Sequence, residues 1–166
     1  MCQQRPTLKI NSEHLESIRE KGLSSFDEIG GIFSSKIQDT FEVTNIFHIH
    51  NAGEGWDYIP SPNLFMKTLK IINASGNEKY TGFFHSHPRG VAIPSMFDVN
   101  RSKKMDPDTI WLIFSGSQNN FRAWKWDKNQ EHFYEISING EPIDEDLYIG
   151  YVSEEVQLAD KNWSFV

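Results

Sequence analysis

Tyr80-Thr81-Gly82-Phe83-Phe84-His85-Ser86-His87-Pro88-Arg89-Gly90-Val91-Ala92-Ile93-Pro94-Ser95-Met96-Phe97-Asp98 reads as a strand, an irregular turn and the opening of a short helix, with four polar residues placed around the junction. The aromatic-rich strand ends at Pro88, which cannot donate to a sheet ladder. Side chains of a strand alternate between its faces. His85 and His87 therefore share a face with their backbones ~6.7 Å apart, close enough for both imidazoles to lean onto one metal ion. The turn then brings Asp98 from a different element as a third ligand. Structural zinc sites are closed by four protein ligands, whereas catalytic sites hold three and leave a position for a water whose pKa falls to roughly 7. His85, His87 and Asp98 thus point to hydrolysis with one catalytic Zn2+.

Such chemistry also needs a base to move the proton of the attacking water and a donor for the developing oxyanion. Glu28 is the candidate base, because it opens Ile29-Gly30-Gly31-Ile32-Phe33, where paired glycines let another backbone or a substrate approach closely. Ser95 is the candidate donor, at the open end of the short helix.

Outward from the junction, the spacing of Phe65, Leu69 and Ile72 predicts a helix over residues 63–74, preceded by a Trp56 to Pro62 loop. Residues 28–34 and 40–50 read as strands. Leu15 and Ile18 recur at helical spacing in residues 12–21, with Ser12 as the expected cap and Gly22 as the stop. Downstream, residues 110–115, 121–127 and 132–138 read as strands, the first apolar enough to be central. The pattern is α+β with one mixed or antiparallel sheet. Neither repeat nor linker divides the chain, so a single domain over residues 1–166 is expected, with residues 140–166 a tail that has no assigned structure.

Composition narrows the partners. At 38% hydrophobic and 13% aromatic residues, a packed core is within reach and disorder of the whole chain is excluded. Sixteen basic residues against 23 acidic ones give a net charge of −7, with no basic stripe to neutralise phosphates, so nucleic acid is not expected as a partner. The single Cys, Cys2, excludes an intramolecular disulfide and a four-thiolate zinc site. The longest apolar run is Ile110 to Phe114, too short for a membrane span, and Met1 to Pro6 shows no apolar leader core. No membrane partner and a cytoplasmic location are the expectations.

Taken together, Glu28-x-Gly30-Gly31-x-Phe33, Thr81-Gly82-Phe83-Phe84, His85-Ser86-His87-Pro88 and Ser95-x-x-Asp98 six residues later resemble the motif of the JAMM/MPN metalloprotease family, in its short prokaryotic form. The resemblance implies a curved mixed sheet flanked by helices, a three-layer arrangement like that of cytidine deaminases. It also implies an isopeptidase that cleaves after the C-terminal glycine of a ubiquitin-like protein or its conjugate. His85, His87 and Asp98 would hold Zn2+, Glu28 would be the general acid/base and Ser95 would support the tetrahedral intermediate. Among prokaryotic relatives the implied settings are deconjugation in antiphage modules and trimming of sulfur-carrier proteins; members that lack the ligands serve as scaffolds. The short link from Asp98 to Ile110 leaves no room for the second insertion of chain-selective eukaryotic members.

Ordinary roles compete at each position. The two His could face water on a strand, Asp98 and Ser95 could form only a capping box, and Glu20, Glu42 or Glu54 could replace Glu28. The joint spacing argues against this. His48-Ile49-His50 with Glu54 weakly suggests a cupin-like metal motif, but these His read better as surface groups at a strand end. His14 and His132 read as incidental, and Trp111, Trp124 and Trp126 read as core.

Overall fold

The computed structural model describes residues 4–53 and 57–150. In chain order the elements are β1 (Thr7–Leu8), α1 (Ser12–Leu23), β2 (Gly30–Lys36), β3 (Asp39–His48), α2 (Pro62–Ala74), β4 (Glu78–His87), α3 (Met96–Ser102), β5 (Ile110–Ser115), β6 (Asn120–Asp127), β7 (His132–Ile138) and β8 (Tyr148–Gly150). One sheet runs β1-β7-β6-β5-β4-β2-β3, with β8 also on β7. It is mixed: β4 pairs with β5 in parallel, and the crossover that this requires carries α3. The other parallel pair is β1 with β7. Every residue of β5 is buried, and its place in mid-sheet agrees with its unbroken apolar sequence.

Alternation along the strands sorts the side chains into two cores. Phe33, Phe84, Leu112 and Phe114 face Ile18 of α1, while Ile32, Phe83, Trp111, Ile113 and Trp124 face Ile72 of α2 and Val99 of α3. The result is three layers, α1, sheet, and α2 with α3, as the resemblance implied. Close packing of α1 depends on Gly22: a Cβ there would lie 2.6 Å from the Phe114 ring.

The sheet curls until its margins meet. Leu8 pairs with Ile138 of β7, and the next residue, Lys9, donates its N–H to Phe41 O at 2.8 Å and accepts from Val43 N at 2.9 Å on β3. Asn139 reinforces the join, its side chain bonding both the N–H and the carbonyl of Ile10.

Several local expectations need correction. Asn11, not Ser12, caps α1, its Oδ1 accepting from Glu13 N at 2.7 Å, because the cap must precede the first helical residue. β3 ends at His48, and β2 begins at Gly30, two residues after Glu28. The two His at the end of β3 are not alike: His50 is exposed, whereas His48 is half-buried, edge-on to Phe84, with Nε2 2.8 Å from Ser17 Oγ. Trp111, Trp124 and Trp126 are buried as expected. Cys2, Glu54, Trp56 and residues 151–166 lie outside the described residues. Among the described residues, no helix is long and apolar enough to cross a membrane.

Candidate metal centre

Strand pairing assembles the site. β2 and β4 are antiparallel with Gly30 opposite His85. One step before the strand, Ile29 accepts from Ser86 N and donates to Ser86 Oγ, both at 2.9 Å. The next residue back, Glu28, is thereby delivered beside His87, its Oε1 3.9 Å from His87 Nε2. His85 and His87, two apart on β4, both point to the α2 and α3 side with ring centroids 5.0 Å apart.

Asp98 comes from the first turn of α3. Its carboxylate lies 3.2 Å from His85 Nε2 and 3.4 Å from His87 Nε2. The same carboxylate accepts the Ser95 N–H at 2.8 Å while Ser95 Oγ accepts the Asp98 N–H at 3.2 Å, so the capping box and the cluster are one construction. Ser95 therefore caps α3 at the edge of the cluster, and its hydroxyl hydrogen is not used by the cap. Glu20 and Glu42 lie on other elements, α1 and β3, while Glu28 is the glutamate beside His87.

One ligand atom from each of His85, His87 and Asp98 lies within 4.8 Å of the others, and all three residues are buried. His87 Nδ1 lies 2.9 Å from Val91 O. A carbonyl only accepts, so Nδ1 carries a proton, and when the ring is neutral it is Nε2 that stands bare toward the cluster. That Nε2 is buried with no hydrogen-bond partner. Two imidazoles and a carboxylate around an unpartnered buried nitrogen fit a bound metal ion, and the second-nitrogen bond to a carbonyl is the usual support of a His ligand.

Burial and the charges within the cluster compete, and at His87 burial is outweighed by Asp98 and Glu28, which raise it above the ordinary imidazole value. Burial pushes the Glu28 carboxyl up to about 8, against the pull of His87 and with the help of the Asp98 and Asp57 charges. It raises Asp98 as well, but His85 and His87 outweigh it and hold that carboxyl well below the usual range. His85 is lowered by burial despite Asp98.

Sequence reasoning missed what surrounds the cluster. Tyr58 is buried, donates its hydroxyl to Ile49 O at 2.9 Å and stacks on His85 at 6.4 Å with planes 9° apart. Its ring fills the space that a Cβ on Gly30 would take, at 2.7 Å. The glycine pair was the available signal: it admits Tyr58 and, at Gly31, the Phe47 carbonyl, rather than an outside molecule. Residues 57–62 are thus tucked on the core at Tyr58, and Asp57 is paired with Arg101 of α3 at 2.9 Å.

A curved mixed sheet between helices, with a buried His-His-Asp cluster at the end of a central strand, defines a metal-site domain of the JAMM/MPN class. Solved structures share the fold. The solution structure of a protein from Desulfitobacterium hafniense is 20% identical, covers 84% of this chain and 94% of its own, and superimposes with a TM-score of 0.67. A protein from Salinibacter ruber is 17% identical over 86% and 99% of the two chains with a TM-score of 0.54. A JAB1/MPN domain protein from Archaeoglobus fulgidus is 17% identical over 80% and 97% with a TM-score of 0.50. Residues 11–127 match the model of the prokaryotic homologs of the JAB domain, and the chain belongs to that family. No curated protein matches it.

Proposed function

We propose that this protein is a zinc-dependent peptidase or isopeptidase that cleaves after the C-terminal glycine of a ubiquitin-like protein, releasing it from a conjugate or a precursor, in a bacterial conjugation module of the antiphage kind. The observation that carries the reading is the unpartnered, buried His87 Nε2 turned toward Asp98 with Glu28 beside it. His85, His87 and Asp98 would hold the metal. Zinc in such a setting supplies Lewis acidity toward a carbonyl oxygen and brings a water's pKa down to roughly 7.

The remaining work falls to side chains of the chain itself. Glu28, beside His87, takes a proton from the attacking water as a carboxylate and returns it to the departing amine nitrogen. Ser95 offers its hydroxyl hydrogen to the oxygen that gains charge, while its Oγ lone pair keeps the cap on Asp98 N. Family membership and the unbroken ligand set support an enzyme over a scaffold.

The first test is zinc content of the purified protein beside His87→Ala, by elemental analysis. One zinc per chain that is lost in the variant is the expected result; no zinc in either would leave a metal-free scaffold. A ubiquitin-like protein extended beyond its C-terminal glycine is the substrate to offer next, and a sulfur carrier extended in the same way tests the other setting.

A further inference from the structure

The Val91 carbonyl that meets His87 Nδ1 lies in the irregular connection between β4 and α3, where no strand or helix holds it. Its two neighbours are nevertheless held. Gly90 O accepts the hydroxyl of Ser115, the last residue of β5, at 2.5 Å and that of Ser117 at 3.1 Å. Ala92 O accepts the indole N–H of Trp124, from β6, at 3.0 Å. Ser115, Trp124 and Ala92 are all fully buried. Ser115 also sits opposite His87 in the β4–β5 ladder, and His87 O accepts the N–H of Gly116 at 3.0 Å, so the loop is anchored to the strands that flank it.

We propose that Ser115 and Trp124 are positioning residues of the metal centre: by fixing the carbonyls on either side of Val91, they aim the Val91 carbonyl at His87 Nδ1 and keep His87 Nε2 bare toward the cluster. The proposal rests on the reading of His87 as a metal ligand. It explains why a tryptophan, whose indole must find an acceptor when buried, occupies a place that packing alone would fill with any large apolar ring. Were the loop free, Val91 O would lose its aim and the imidazole would sample both neutral tautomers, only one of which can ligate through Nε2.

The test compares Trp124→Phe and Ser115→Ala with the wild-type chain, and uses Trp126→Phe as a control for loss of a buried indole from the same face of β6. Two quantities are read: the imidazole 15N shifts of His87 in metal-free protein, at a pH where the ring is neutral, and zinc(II) affinity by competition with a chromophoric chelator. Trp124→Phe and Ser115→Ala should each shift His87 from the pure Nδ1–H form toward a mixture and weaken zinc binding, Trp124→Phe by roughly 10- to 100-fold, with Trp126→Phe near wild type. A folded Trp124→Phe with wild-type shifts and affinity would overturn the proposal, as would a Trp126→Phe that reproduces both effects. Should Trp124→Phe not fold, Ser115→Ala decides on the same two readouts. A wild-type chain that binds no zinc would instead overturn the ligand reading, and failure of the pinning remains distinct because it shows in the metal-free tautomers.

Discussion

Glu28 and Asp98 are carboxylates in one buried cluster, and the fold treats them in opposite ways: Asp98 is surrounded by donors that stabilise its charge, while Glu28 is desolvated and kept ready to carry a proton. The two should part experimentally. Glu28→Gln is expected to keep its zinc and lose about 10²- to 10⁴-fold in turnover of a glycine-ending ubiquitin-like extension; loss of zinc with it would make Glu28 a ligand. Asp98→Asn retains an oxygen to accept the Ser95 N–H, so it should fold with a near-wild-type melting temperature and yet lose its zinc. A full zinc complement in Asp98→Asn would remove Asp98 from the ligand set. His48 gives a prediction independent of the metal. Burial and the Lys21 charge lower it from 6.5 to about 4, so as pH falls through that interval the unfolded chain takes up a proton that the native chain refuses, and stability drops. His48→Gln should reduce that acid-side loss by about 1 kcal/mol, a figure discounted for solvent screening, in urea unfolding at pH 7 and pH 5.

At the scale of elements, the site is made by neighbours rather than by any one strand, and this shows in Gly30. Alanine there would press on the Phe84 carbonyl at 2.5 Å and on Tyr58, costing about 1–3 kcal/mol by overpacking and pushing the Tyr58 ring off His85. Equilibrium unfolding measures the first effect, and a Gly30→Ala chain as stable as wild type would mean that Tyr58 yields freely. Several elements were legible in the sequence, among them β4, which carries two residues of the cluster. β4 and β5 announced themselves by a dense aromatic and apolar run, α2 by helical spacing, and the motif spacing carried His85, His87 and Asp98 to one place. What escaped notice was set by tertiary contact. β1 is two residues long and β8 three, too short to show a period, and they exist because β7 offers a free edge. Tyr58 sits in a loop with no pattern of its own, and the Val91 carbonyl is a backbone group that no side-chain motif records.

For the whole molecule, the consequential feature is the meeting of the sheet margins at residues 7–9. Leu8 is fully buried in the core on the α1 side. Leu8→Ala should therefore cost about 2–5 kcal/mol in urea unfolding, more than a change in an edge strand open to solvent would. A loss below about 1 kcal/mol would mean that the join is incidental to stability.

The same join sets an order of events in the cell. Residues 7–9 leave the ribosome about 130 residues ahead of their partners on β7, on the order of ten seconds at ordinary rates of synthesis. Until then Thr7 and Leu8 lack their ladder partners, and Leu8 lacks the cover of Ile136 and Ile138, although Lys9 can already pair with β3. A nascent chain stalled before β7 is thus a sticky, unfinished sheet, and chaperone occupancy on ribosomes translating this message should fall only after Ile138 has cleared the exit tunnel.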